Sequence, residues 1–379
     1  MKTAVIAGYA RSPFHFAHKG ELATVRPDEM AAEVVRELVR RTGIDPADIE
    51  DLILGCAFPE GEQGLNVARL IGFLANLPLG MAGTTVNRFC GSSMQAIHMA
   101  AGAIALDAGE AFICAGVESM TRVPMMGFNP MPHPGLAERY PQAYIAMGET
   151  AENLARKYQI PRAEQEDFAI RSHAKAAAAR EEGRLRDEIV PIPRADGASV
   201  NKDGCIRPGT DLAALAGLKP AFDQAGTVTA GTSSPLTDGA AAVLVTSEDY
   251  AKAHGLAPIA RIRSVAVGGC APEIMGIGPV VATEKALKRA GVAVRDLDVI
   301  ELNEAFAVQA LAVARDLMLD LDKTNLDGGA IALGHPLGAT GARITGKAAA
   351  LLQREGKELA LATQCIGGGQ GIATVLEAV

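Results

Sequence analysis

The sequence predicts an α/β protein with a mostly parallel sheet, built from two similar halves with a long insertion in the first. Three observations carry this. Continuous apolar runs alternate with helix-period stretches before residue 120 and again after residue 251. Such runs read as strands buried on both faces. A gap-free internal match links the two regions, and between 120 and 236 the pattern gives way to Pro, Gly, Met and charge.

Residues 3–8 and 51–57 are apolar runs of strand length. Between them, Ala31, Val34, Val35, Leu38 and Val39 recur at helical spacing over 28–42. Stretches 66–77 and 91–107 are the next helices, and 111–116 is a strand. The insertion holds one clear helix at 162–182. Strands return at 240–246 and 258–268, followed by a helix at 280–291, a strand at 298–302 and a helix at 304–317. A long helix at 338–355 and strands at 358–363 and 371–377 close the chain. The expected units are therefore 1–119 with 237–250, the inserted 120–236, and 251–379.

The repeat rests on residues 43–58 set against 291–306, an offset of 248. Gly43/Gly291, Asp48/Asp296, Leu54/Leu302, Ala57/Ala305 and Phe58/Phe306 are identities. A duplicated half brings two related helices together near a pseudo-twofold axis. At this offset Cys90 falls on Gly338, and His335 lies just before the corresponding helix. The repeat thus places a thiol and an imidazole at equivalent positions.

Composition excludes several classes. With 49% hydrophobic and 21% charged residues, the chain is globular and not disordered. A net charge of −8 argues against nucleic-acid binding through a basic face. No apolar run approaches the roughly 18 residues of a membrane helix, so no membrane insertion is expected. The first ten residues run directly into a strand, so no leader and a reducing cytoplasm are expected. The six cysteines are scattered without a CxxC pair, so no metal site is expected.

Four segments carry candidate chemistry. Cys90 precedes Gly-Ser-Ser at a helix start, where the positive helix end stabilises a thiolate and lowers its pKa below about 8.5. Taken alone it reads equally as a buried structural cysteine. His335, crowded by glycines and followed by Pro336, is a candidate base for it, or else a loop histidine capping a helix. Cys365 leads into Ile-Gly-Gly-Gly-Gln-Gly between two strands. That placement rules out a dinucleotide fingerprint and suits backbone N–H groups aimed at an oxyanion. Asn303 stands where a strand gives way to a helix, as a helix cap or a functional amide.

Together these segments closely resemble the thiolase family. The matching stretches are Asn-Arg-Phe-Cys-Gly-Ser-Ser-Met around Cys90, Asn-Glu-Ala-Phe-Ala at 303–307, Gly-His-Pro-Leu-Gly at 334–338 and Cys-Ile-Gly-Gly-Gly-Gln-Gly at 365–371. The resemblance implies the thiolase fold, two duplicated α/β halves stacked in five layers (αβαβα) with a loop domain inserted in the first. It implies thiolysis of 3-ketoacyl-CoA by CoA, or the reverse condensation. Neither a metal nor a prosthetic group is implied, since CoA is a substrate. On it, Cys90 is the nucleophile and His335 its base. Cys365 is the acid for the departing acetyl-CoA carbanion. Asn303 holds a water beside His335, and the N–H groups of Cys90 and Gly367 form a second oxyanion site. Arg207 and Ser234 match CoA contacts, and Met147, Phe222, Ala305 and Phe306 match the apolar lining. Ala214 stands where relatives often have a serine.

Ala146 replaces the histidine of acetoacetyl-CoA-specific relatives, and the 120–134 loop is rich in Met and Pro. Both features point to the degradative, fatty-acid-oxidation branch. A short-chain acetyl-CoA acetyltransferase and a β-ketoadipyl-CoA thiolase are the alternatives. A non-catalytic lipid or acyl-CoA binding relative is remote, because Cys90, Asn303, His335 and Cys365 are all present. The resemblance also implies a homodimer or a dimer of dimers, alone or with a hydratase/dehydrogenase subunit.

Overall fold

The structure, a computed structural model, describes residues 2–379. The main strands are β1 (Ala4–Arg11), β2 (Asp51–Gly55), β3 (Ala82–Val86), β4 (Ala111–Ser119), β5 (Thr237–Ser247), β6 (Ala260–Gly269), β7 (Val299–Leu302), β8 (Leu359–Ile366) and β9 (Gln370–Glu377). The main helices are α1 (Pro27–Thr42), α2 (Val67–Leu74), α3 (Ser92–Ala105), α4 (Met147–Tyr158), α5 (Arg162–Glu181), α6 (Gly278–Ala290), α7 (Ala307–Leu317) and α8 (Leu337–Glu355).

Local chemistry explains the helix limits. α1 starts on a proline with Asp28 and Glu29 in its first turn, and it ends at Gly43 in the left-handed region (φ 70°). Pro, early acids and a final glycine suit the unpaired N–H and C=O groups and the dipole at the two ends. α6 ends the same way, at Gly291 (φ 69°), the position paired with Gly43 in the repeat.

The strands form one continuous sheet in the order β7-β8-β9-β6-β1-β5-β4-β2-β3. It is mixed, which corrects the parallel expectation. β2 pairs parallel with β3 and β4, and β7 with β8; the other neighbours are antiparallel. The apolar runs were misleading because helices cover both faces of the sheet, which buries antiparallel strands as fully as parallel ones. β5, for instance, is buried along its whole length although both its neighbours are antiparallel.

The duplication is legible in register. Asp51 pairs with Phe112 in β2–β4, and Val299 with Ala360 in β7–β8; both residues of the second pair lie 248 further on. β3 has no full counterpart in the second half, where a single parallel bridge, Ile300 to Thr324, takes its place. The halves meet at a short β1–β6 seam, Val5 with Arg261 and Ile6 with Ala260.

Side-chain alternation then builds the layers. Leu52, Leu54, Ile113 and Leu244 pack outward against α1 and α2. Ile53, Cys114, Val243, Val299, Ala360 and Ile372 pack inward, with α3 and α8 between the two half-sheets. Ile300, Leu302, Leu361 and Val375 pack outward against α6 and α7. The insertion gives no strand to this sheet among the described residues. Its helix α4 packs on α7 and shares one apolar cluster with Ala305 and Phe306 ahead of α7 and with Cys365 on β8.

Candidate active site

Cys90 sits in a tightly tied turn between β3 and α3. Phe89, not a glycine, adopts a left-handed conformation (φ 42°). Such a residue costs about 1–3 kcal/mol and persists only where its surroundings hold it. Here the Asn87 carboxamide accepts from the Phe89 N–H at 2.8 Å, and the Ser92 hydroxyl donates to the Phe89 carbonyl at 2.5 Å. Gln364 donates from β8 to the Cys90 carbonyl.

The helix proper begins at Ser92, with Gly91 as its cap, so Cys90 lies beyond the helix start rather than on it. This corrects the expected thiolate. The N–H groups of Gly367 and of Cys90 itself favour the anion, but burial outweighs them and the Glu118 charge opposes them, so the thiol is pushed up to about 11.

Cys365 is buried on β8, its thiol pushed far up by burial and by the neighbouring Cys90 sulfur. Gly367 follows it, in a hairpin whose Gly368 and Gly369 are both left-handed (φ 78° and 80°). A side chain at Gly369 would meet the Cys270 carbonyl at 2.3 Å, so only glycine lets this turn close.

His335 is buried just before α8. Its Nδ1 lies 2.6 Å from Thr340 Oγ1, which donates to the Pro336 carbonyl. Thr340 therefore accepts the Nδ1 proton. The Asn303 amide stands 3.4 Å from Nε2, which fits a lone pair there. This network assigns a neutral imidazole with its free base atom at Nε2. Burial first, and the Arg343 charge second, lower its pKa to about 3. No hydrogen bond joins His335 to Cys90; Leu337 packs beside Cys90. Asn303 Oδ1 is buried without a protein partner.

Cys90 opens into a cavity of about 1260 Å³, counting the space at its mouth. Gly367, Met147, Phe58, Phe89 and Leu337 line it, and Met125, Met126, Met131, Pro130 and Pro132 from the insertion form one wall. Phe222 packs edge-on against Phe306 at 5.8 Å and touches Gly148. Ser234 donates from N and Oγ to the Ala305 carbonyl at 3.0 and 3.1 Å. Met147 joins this cluster to the cavity. Arg207 stands apart: it is exposed, its guanidinium lies over Phe16, and its N–H meets His173.

Sequence reading missed Thr340 and Glu118. Thr340 carries a signal, a hydroxyl in the first turn after His335. Glu118 is buried and accepts from Ala57 N, Phe58 N, Gln63 Nε2 and Gly338 N, so it ties the β2 end to the α8 start. Nothing in its local sequence distinguishes it from a surface acid.

The α/β core sets a cysteine, Cys90, on a cavity wall with a second thiol, Cys365, beside it, and holds a buried neutral imidazole ahead of the facing helix, an arrangement that suits acyl transfer through a cysteine. Comparison with known proteins narrows the class. The description "Thiolase, N-terminal domain" matches residues 4–249, and "Thiolase, C-terminal domain" residues 256–378. A 3-ketoacyl-CoA thiolase of Bacillus subtilis is 49% identical and one of Shewanella frigidimarina 52% identical, each with 100% of both chains covered. The crystal structure of the Bacillus anthracis acetyl-CoA acetyltransferase superposes with a TM-score of 0.93 at 41% identity. It covers 100% of this chain and 99% of that one. Human mitochondrial 3-ketoacyl-CoA thiolase gives 0.92 at 37%, with the same coverage. The chain belongs to the thiolase family.

Proposed function

We propose that the protein cleaves 3-ketoacyl-CoA with CoA to acetyl-CoA and a shortened acyl-CoA, in fatty-acid β-oxidation. The observation that carries this is Cys90 in the lining of a methionine-walled cavity, with the Gly367 N–H on its sulfur and Cys365 beside it. Full-length relatives named 3-ketoacyl-CoA thiolase support it.

In this reading Cys90 gives its proton to His335 Nε2 and its sulfur adds to the keto carbon. The alkoxide collapses, and the Cα–Cβ bond breaks toward the thioester enolate. Cys365 protonates the enolate carbon, and acetyl-CoA leaves. The imidazolium proton passes to the Cys365 thiolate. His335 then takes the proton of incoming CoA and returns it to Cys90 as the acyl group departs. Both thiol and imidazole begin neutral, so no charge is buried until a substrate carbonyl arrives to share it. His335 and a water on Asn303 hold the enolate oxygen; the N–H groups of Cys90 and Gly367 hold the tetrahedral oxyanions. Met147, Phe222, Ser234, Ala305 and Phe306 line the pantetheine arm, with Arg207 toward the nucleotide. The chemistry is complete without a metal or prosthetic group. A homodimer in the cytoplasm fits the resemblance. No helix among the described residues is long and apolar enough to cross a membrane.

A short-chain acetyltransferase is the second reading, favoured by the B. anthracis neighbour. Thiolysis kinetics on a C4 to C16 substrate series separate the two. Apolar burial returns about 0.8 kcal/mol per CH₂, so each two-carbon unit raises kcat/KM by at most about 1.6 kcal/mol, until the cavity is full. A kcat/KM that peaks at acetoacetyl-CoA and collapses by six carbons would overturn the long-chain reading.

A further inference from the structure

The acid Glu301 lies two residues before Asn303. Strand alternation puts Val299 in the central layer and Ile300 and Leu302 in the outer one. Glu301 and Asn303 share the Val299 face. On α8, Thr340, Arg343 and Lys347 are spaced three and four residues apart and share one helix face.

These two faces meet in two rungs. The upper rung is Asn303–His335–Thr340. The lower is Arg343 Nη1 to Glu301 Oε2 at 2.7 Å, with both side chains at most 2% exposed. This ion pair meets through one hydrogen bond: Arg343 Nε and Nη2 and Glu301 Oε1 have no protein partner among the described residues. The guanidinium charge therefore reaches His335 incompletely cancelled.

We infer that Glu301 and Arg343 are positioning residues for the reaction. The pair holds the Asn303 strand against the His335 segment and sets how strong a base His335 is. The inference rests on the thiolase reading of the site. Other charged groups around the pair are Lys347 on α8, Glu188 and Lys175 from the insertion, Asp327, Glu304, and Tyr9 and Arg11 on β1.

Burial pushes Glu301 up to about 7, against the pull of Arg343 and Lys347. Above that pH its anion offsets the Arg343 charge. Below it the charge stands alone and weakens His335. Turnover should therefore fall as pH drops through about 7.

The test is steady-state thiolysis between about pH 5.5 and 8.5 for the wild type, Glu301→Gln, Arg343→Lys and the double variant E301Q/R343M. In the wild type, kcat should show a limb near neutrality. Glu301→Gln should lower kcat roughly tenfold at high pH, leave KM within about twofold and abolish the limb. Arg343→Lys keeps the charge and should keep the limb. The double variant buries no unpaired charge and should fold even if Glu301→Gln does not, with a flat profile. An unchanged limb in either folded Glu301 variant, or an unchanged high-pH kcat in folded Glu301→Gln, would overturn the inference. So would failure of both to fold, which would make the pair structural only. A wild type without thiolysis would sink the functional reading instead.

Discussion

The resting state of Cys90 yields a sharp test. A thiol held at about 11 is about one part in 10⁴ ionised at pH 7, some four units below its midpoint. A free cysteine near 8.5 has roughly 300-fold more thiolate at the same pH. The more basic thiolate is intrinsically more reactive, by roughly tenfold for a Brønsted slope near 0.45. Cys90 should thus be alkylated roughly 20-fold more slowly than free cysteine at pH 7. The rate should climb close to tenfold per pH unit from about 7 to 9.5, because only the thiolate attacks. The assay is inactivation by iodoacetamide across this range, with mass-spectrometric counting at each cysteine. A rate that is flat between about pH 6 and 8 would refute the argument, since it would mean a preformed thiolate–imidazolium pair. Cys90 should still be labelled before Cys56, Cys114 and Cys205, which are buried while Cys90 faces the cavity.

Two further outcomes are expected. Cys365→Ser should still accept an acetyl group from acetyl-CoA, measured as CoA exchange, and lose most thiolysis, since only carbon–carbon cleavage needs its proton; equal loss of both would make Cys365 structural. His98, His173 and His335 are held at about 3, 4 and 3 by burial, so each stays neutral in the fold while the unfolded chain takes up a proton below about 6.5. Their stabilisation is complete above that pH and is lost as pH falls, by about 3–4 kcal/mol per pH unit near pH 5.5 for three groups together. The urea midpoint should drop steeply below pH 6, and a flat midpoint down to pH 5 would contradict the histidine assignments.

Much of this was legible in the sequence. The 248-residue offset reappears as the shared register of β2–β4 and β7–β8, because duplication preserves pairing as well as pattern. Strand direction was not legible, because burial on both faces erases the alternation that distinguishes antiparallel pairing. β3 was missed: it is an edge strand, and Ala82-Gly83-Thr84-Thr85-Val86 carries one strongly apolar residue. The helix expected at 304–317 starts at Ala307, because Glu304 turns inward to accept from Ser172, Asn325 and Ile331. The candidate residues stood out in the sequence because their glycine settings are distinctive. The state of Cys90 was not, because the helix start and the cavity wall around the sulfur are tertiary facts.

Why the two halves share one site follows from how closely they approach. Added at Gly116, a Cβ would lie 2.1 Å from the Gly338 carbonyl; at Gly341 it would lie 2.3 Å from Met94 N. Ser93 Oγ accepts from Ala342 N at 2.8 Å across the same contact. The starts of α3 and α8 are therefore pressed together, with glycines at the closest points and only the small Ser93 side chain bridging them. Any larger residue at Gly116, Gly338 or Gly341 would push them apart, and with them Cys90 and His335, which sit just ahead of those two helices. Glu118 then fixes the approach, since one carboxylate accepts from the β2 end and from Gly338 at once. Its buried charge also raises the Cys90 thiol. The same residue that docks the halves thus adds to burial in keeping the nucleophile protonated. On this account, a change at Glu118 alters both the packing between the halves and its share of the Cys90 shift, and the two cannot be altered separately there.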